Sequence, residues 1–374
     1  MTDKGNQVIR VNDGLWWAGI AVAVAVSIAA GFSATWVGES VLGFSSSPVS
    51  DIMMAIVIGM IIANIVSFPE QLRDGLRFCA STILRIGIML LGIRLSLLGA
   101  GRFTLVALPF VIAAIAIGLT TVAALGRRLG LSRQLGGLIA IGTSICGCTA
   151  IVATAPLIRA KEAEVSYAIA CITLFGLVAM FCYPFIAYWL FPDQPALAGL
   201  LLGTSIHETA QVAGAGLMYE AQYNAPLALD IATVTKLVRN LCMIAVIPLV
   251  GMMYAAEGTL PATGRIRWLS MVPWFIVGFA GMSALRTVGD LGDRPFAVLD
   301  PATWAAMVAF IRSAAEHFLL VAMAAIGLTT MFAGLRQIGL RPFLLGLFAA
   351  ALVGAVSLTL IALFAARLLT AVGL

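Results

Sequence analysis

The chain has 374 residues, of which 61% are hydrophobic and only 10% charged, with a mean hydropathy of +1.06. Soluble domains carry about 25% charged residues, so a soluble globular fold is excluded. A helical span needs roughly 20 apolar residues, which leaves room for about ten spans joined by short loops.

The formal charge of +5 is no nucleic-acid footprint. The basic residues sit in short clusters between apolar runs: Arg73 and Arg77, Arg127, Arg128 and Arg133, Arg265 and Arg267, Arg336 and Arg341. That is the pattern of cytoplasmic loops.

In chain order, the first apolar run extends from Leu15 to Val37. Ala29-Ala30-Gly31 resembles a signal cleavage site, but the run is long for a signal peptide and its leading segment is weakly basic, so it reads as a retained helix. Further runs follow at 51–67, 82–99, 104–126, 135–157, 164–190, 196–218, 227–254, 269–288, 304–335 and 342–370. The 304–335 run is too long for one simple span, and its first part, with Arg312, Glu316 and His317, reads as interfacial or tilted. The six cysteines all lie in or beside apolar segments and define no disulfide framework. Cys146-Gly147-Cys148 has no neighbouring thiol or imidazole to complete a metal site and reads as small residues for close helix packing.

Within this apolar sequence a polar motif occurs twice. Gly142-Thr143-Ser144-Ile145 returns as Gly203-Thr204-Ser205-Ile206, there followed by His207-Glu208-Thr209-Ala210-Gln211, and each copy leads into an apolar segment with a proline, Pro184 and Pro248. Repeated glycine-bearing breaks predict a secondary transporter of two related halves. The expected organisation is an N-terminal extension and first helix over 1–45, a first repeat over 46–190 with a discontinuous segment at 135–157, and a second repeat over 191–374 with one at 196–218. The fold expected is an all-α polytopic membrane protein of about 9–11 membrane segments, its two broken or re-entrant helices meeting near the midplane.

The basic residues also test the orientation. With a cytoplasmic N-terminus and both motifs re-entrant, Arg159 and Lys161 fall inside, and 191–195, which lacks Lys and Arg, falls outside. Most of the 22 basic residues are then cytoplasmic. Arg102, Arg286 and Arg294 are external, and Arg94, Lys236, Arg239, Arg312 and Arg367 are embedded. Full spans would move Arg159 and Lys161 outside, a poorer fit to the positive-inside rule. The re-entrant version makes the two copies inverted, and a weaker echo between Leu91-Gly92-Ile93 and Ile326-Gly327-Leu328 agrees with it. Full-span broken helices that cross are the alternative.

Gly beside Thr-Ser weakens a helix and supplies hydroxyls for freed backbone groups. A half-helix beginning at such a break points N–H groups and partial positive charge at the midplane, which suits an anion. This makes Thr143, Ser144, Thr204 and Ser205 candidate substrate-binding residues, against the bland alternative of tight helix packing. Ionisable groups within a membrane are functional candidates by default. Glu208 is the candidate for ion coupling, or a partner of Lys236 or Arg239. His207 could donate to an anion, and Gln211, one turn on, shares its face if the segment is helical. Lys236 and Arg239 lie three apart on the next helix, on one face, and two cations that deep need carboxylates or an anion. They suit a divalent oxyanion, or pairing with Glu208 and Asp230. Arg94 could reach the same cavity or snorkel, Arg312 and Glu316 suit a local pair, and Asn64 and Asn240 read as interhelical hydrogen-bonding groups.

Gly142-Thr-Ser-Ile-Cys-Gly, Ala153-Thr-Ala-Pro-Leu-Ile-Arg-Ala-Lys-Glu, Gly203-Thr-Ser-Ile-His-Glu-Thr-Ala-Gln-Val and Val234-Thr-Lys-Leu-Val-Arg together resemble the YeiH-like sulfate exporter family, over nearly the whole chain beyond the first helix. That family is grouped with the cation–proton antiporter and anion transporter superfamily, which includes bile-acid symporter-like proteins. The resemblance implies inverted repeats, discontinuous helices crossing near the midplane and elevator-type motion. Classic members of the superfamily use full-span broken helices. Glu208 stands where many relatives carry Asp, and Cys146 and Cys148 replace small residues, which argues against an essential thiol.

The expected activity is secondary transport of a small anion, sulfate, sulfite or sulfonate-like, across the inner membrane and outward. The alternatives are a sodium- or proton-coupled organic-anion symporter of the bile-acid type, or an anion channel. No phosphate-binding Walker loop appears. His207-Glu208 lacks the second histidine of a zinc protease, since position 211 is Gln, and no Gly-x-Ser-x-Gly marks a serine hydrolase, so an enzyme is not expected. No cofactor is expected beyond a coupling H+ or Na+. The partners expected are the small anion, the lipid bilayer and a second copy of the chain, which the helix at 15–37 would contact.

Overall fold

The computed structural model describes residues 14–41, 50–254, 272–291, 294–331 and 339–372. The N-terminal extension before Gly14 and the basic residues Arg265, Arg267 and Arg336 lie outside them. Among the described residues the chain is helical, without strands: α1 (Gly14–Thr35), α2 (Asp51–Ile65), α3 (Glu70–Arg94), α4 (Leu97–Arg128), α5 (Arg133–Ser144), α6 (Cys148–Thr154), α7 (Glu162–Leu190), α8 (Pro195–Ser205), α9 (Thr209–Tyr223), α10 (Pro226–Leu241), α11 (Met243–Tyr254), α12 (Trp274–Gly289), α13 (Pro301–Thr329) and α14 (Leu340–Thr370). Seven helices, counting α10 and α11 as one, are long and apolar enough to cross a membrane. The protein is a multi-pass all-α membrane protein.

The chain divides into two compact units, Met1–Ile88 with Ser313–Phe332, and Met89–Arg312 with Ala333–Leu374. The first unit holds together through small residues. A side chain on Gly19 of α1 would collide with the Leu72 carbonyl of α3, and one on Gly75 with the Trp16 carbonyl. Likewise a side chain on Gly59 of α2 would lie 2.7 Å from the Ala324 carbonyl, and one on Gly327 would collide with the Ile56 carbonyl. Backbones in such close approach are how membrane helices gain van der Waals contact where lipid offers no hydrophobic drive. Asn64 Nδ2 donates across this pair to the Thr330 carbonyl at 3.0 Å, the interhelical role expected of it. The helix containing 82–99 begins earlier than its apolar run, at Glu70. Its first turns carry Glu70, Arg73, Asp74 and Arg77 on one side and bury Leu72, Gly75 and Leu76 on the other, so mean hydropathy hides an amphipathic start.

The second unit carries both copies of the repeated motif. Each copy ends a short helix at the same letter: α5 stops at Ser144 with Ile145 as its cap, and α8 stops at Ser205 with Ile206 as its cap. In each, the threonine hydroxyl turns back one turn, Thr143 to the Ile139 carbonyl at 2.6 Å and Thr204 to the Leu200 carbonyl at 2.7 Å. Both helices are about 16–18 Å long at 1.5 Å per residue.

The neighbours of each short helix fix its course. Ser132, at the start of α5, donates to Glu164 at the start of α7, while Ile151, Ala155 and Ile158 return to pack with Leu135, Leu138 and Ile139 of α5. At the other end of α7, Tyr188 stacks on Tyr223, the last residue of α9, at 3.9 Å. Side chains on Gly199 and Gly203 would meet Ala228 and then Ala232 and Thr235, so α8 runs parallel to α10. Thr209 accepts from Asn240 Nδ2 at 3.1 Å and Gly216 faces Leu229, so α9 runs antiparallel to α10. The segment holding the first break therefore starts and ends near one end of α7, and the segment holding the second near the other.

Candidate functional site

A broken helix leaves its last carbonyls without N–H partners and carries about half a negative charge at that end. In an apolar interior those carbonyls must find donors. Here the C-terminal ends of α5 and α8 converge on one face of α10, where Lys236 and Arg239 lie one turn apart. Lys236 Nζ donates to the Ile145 carbonyl at 3.1 Å, the Ile206 carbonyl at 3.1 Å and the His207 carbonyl. Arg239 donates from Nε to the Ser144 carbonyl at 2.8 Å, from Nη1 to the Thr204 and Ile206 carbonyls at 2.7 and 3.1 Å, and from Nη2 to the Thr143 carbonyl. Their relative exposures are 1% and 0%.

This differs from the pairing with Glu208 and Asp230 expected of the two cations. Neither Lys236 nor Arg239 makes an ion pair among the described residues, and Asp230 instead pairs with Arg94. All three ammonium N–H groups and four of the five guanidinium N–H groups are committed to backbone. The missed partner was backbone: a break exposes carbonyls on one side as surely as N–H groups on the other.

The remaining candidates divide by what their polar atoms do. The hydroxyls of Thr143 and Thr204 are used within their own helices. Ser144 Oγ, Ser205 Oγ, both ring nitrogens of His207 and Gln211 Oε1 are buried without a hydrogen-bond partner. His207 is 1% and Gln211 3% exposed. Ser144 Oγ faces Gly118 of α4, and Gln211 Nε2 donates to the Thr173 carbonyl of α7 at 3.3 Å. Buried polar atoms are nearly always satisfied, so each of these groups calls for a water or a ligand.

Glu208 is the half-buried N-cap of α9, and its side chain makes no capping hydrogen bond. It lies against Gly147, whose φ of +71° favours glycine, and a side-chain carbon there would sit 3.2 Å from Glu208 Cγ. The second break thus touches the first. Cys146 lies against Met243, and Cys148 near Thr173 at 3.7 Å. No group of three or more metal-ligating side chains occurs among the described residues.

A second ionic cluster was only partly foreseen. Arg94, at the end of α3, donates to Asp230 of α10 at 2.6 Å and Glu220 of α9 at 2.9 Å, and Arg312 of α13 also reaches Glu220, at 2.8 Å. Glu220 lies eleven residues from the start of α9, about 16 Å along a helix, so the cluster stands well away from the break.

The family model described as Conserved hypothetical protein 698 matches residues 19–346. A UPF0324 membrane protein of Agrobacterium fabrum is 33% identical over 355 residues, covering 92% of each chain. One of Bordetella bronchiseptica is 32% identical over 303 residues, 80% of this chain and 88% of its own. One of Oceanobacillus iheyensis is 30% identical over 337 residues, 89% and 91%.

Proposed function

The chain belongs to the UPF0324 membrane-protein family, and we propose that it is a secondary transporter that moves a small oxyanion by alternating access, with its substrate site where the two breaks meet. One observation carries the reading: among the described residues, two fully buried cations are met by the C-terminal ends of two half-helices and by no ion pair. Those ends contribute about −0.5 each against two positive charges, which leaves about one positive charge for an anion or for Glu208 to offset. The ligands are the groups still open, His207 and the first-turn N–H groups of α9, with Ser144, Ser205 and Gln211 around them. Lys236 and Arg239 supply the field rather than the direct contacts, and Thr143 and Thr204 brace the helix ends. Glu208 carries the coupling proton: protonated, it leaves the site positive and ready for an anion, and ionised, it competes with one.

Two re-entrant hairpins entering from opposite faces are supported by the contacts at the two ends of α7 and by half-helices about as long as half the roughly 30 Å hydrocarbon core. The positive-inside pattern supports a cytoplasmic N-terminus and an inner-membrane location. Export of an anion from a negative interior is favoured by roughly 2.3 kcal/mol per charge per 100 mV. Sulfate, sulfite or a sulfonate is the substrate class that the sequence resemblance adds.

Counterflow in proteoliposomes tests this. Vesicles preloaded with sulfate, sulfite, thiosulfate, taurine or a bile acid are assayed for accelerated uptake of the labelled compound, with Arg239→Ala beside the wild type. Saturable exchange of an inorganic oxyanion, abolished in the variant, is expected. Exchange of an organic acid alone would favour the symporter reading, and non-saturable flux a channel. Full activity in Arg239→Ala would overturn the site.

A further inference from the structure

Lys236 Nζ sits among three backbone carbonyls, those of Ile145, Ile206 and His207, with no carboxylate bound to it. The three come from both breaks, and two of them cap the negative ends of half-helices. An ammonium has three N–H groups, so the match is one donor to each oxygen. Converging carbonyls that replace a hydration shell are also how membrane proteins hold bare monovalent cations, and carbonyl-bearing half-helix ends are where transporters hold coupling sodium. We infer that these carbonyls form a monovalent-cation site that the chain keeps filled with its own tethered ammonium. The wild-type protein then takes no dissolved cation at this point. On the transporter reading above, coupling falls to Glu208 or to the membrane potential rather than to sodium held at the crossing.

The geometry also says what removal of the amine does. Lys236→Ala or Lys236→Met leaves the buried Ile145 and His207 carbonyls without a donor and the Ile206 carbonyl with Arg239 alone, and each unmet carbonyl costs what an unmet buried polar group costs. A small cation that enters relieves both at once and is shared with the Ile206 carbonyl. Arg239 does not fill the gap, because four of its N–H groups are already held by the neighbouring carbonyls.

The experiment compares detergent-purified wild type with Lys236→Ala and Lys236→Met. Thermal unfolding is followed in choline chloride, sodium chloride, potassium chloride and methylammonium chloride at equal ionic strength. The wild type is expected to unfold at the same temperature in all four salts. The variants are expected to gain several degrees, saturably, in at least one small cation over choline, and the arm that works identifies which cation fits. Recovery of folded variant from the membrane is measured in the same salts, so a variant folded only with a small cation present supports the site as well. A sodium- or potassium-specific shift in the wild type overturns the inference. So do folded variants indifferent to every salt, or variants recovered in none. These readouts need no transport, so a cation-stabilised variant beside failed counterflow would remove the transporter reading and leave the site standing.

Discussion

Removing Arg94 isolates what an internal ion cluster contributes. Its side chain is 3% exposed, and it joins Asp230 and Glu220, themselves 14% and 15% exposed, while a third donor contact reaches the Pro226 carbonyl at 3.3 Å. In Arg94→Ala, Glu220 keeps Arg312, but Asp230 loses its ionic partner. Taking one member from a buried pair costs about 3–5 kcal/mol, because the charge left behind stays poorly solvated. For a chain this long that corresponds to a fall of about 5–10 °C in unfolding temperature. The assay is thermal unfolding in detergent of Arg94→Ala, Asp230→Asn and the double variant. The double variant is expected to lose less than the sum of the singles, by about 1–3 kcal/mol, because the asparagine no longer demands a counter-charge. Unfolding of Arg94→Ala at the wild-type temperature, or additivity within about 0.5 kcal/mol, would refute the claim that Arg94 and Asp230 are energetically joined.

Two further outcomes follow from the packing and from the proposed hairpins. Gly327→Val forces a side chain into the Ile56 backbone and is expected to cost at least about 1–3 kcal/mol, read as a lower unfolding temperature. Gly281→Val, where a side chain meets nothing within 4 Å, is the control, and an equal loss there would remove close approach as the cause. In a cysteine-free background, a membrane-impermeant maleimide added to intact cells is expected to label a cysteine at Asp193 and not one at Lys161. External labelling at Lys161 would make the first broken segment a full span.

The positions of the spans were readable because hydropathy over twenty residues needs no tertiary information. The breaks were readable as two segments, since a tetrapeptide that recurs inside apolar sequence has a shared local cause, while the stop of both helices at serine came from the structure. The start of α3 was not, because Glu70, Arg73, Asp74 and Arg77 dilute the apolar signal of a helix that is buried on one side only. The partners of Lys236 and Arg239 were illegible for a different reason. Backbone carbonyls have no letter in a sequence, so a search for counter-charges sees Glu208 and Asp230 and passes over Ile145 and Ile206. Glu220 drew no attention because it lies near a helix end, where a carboxylate is ordinary, and its partners are 126 and 92 residues away in the chain.

The clasp on the two breaks also sets an order of synthesis. Both cations belong to α10, and the Ser144 carbonyl waits for Arg239, 95 residues further along the chain. At 5–20 residues per second a ribosome needs about 5–20 s to deliver that residue. Throughout that interval the first broken segment exists with its helix end unmet, so water, lipid headgroups or an insertion factor must serve it. A ribosome pausing between α5 and α10 would lengthen the one stage at which half of this protein has no internal way to close.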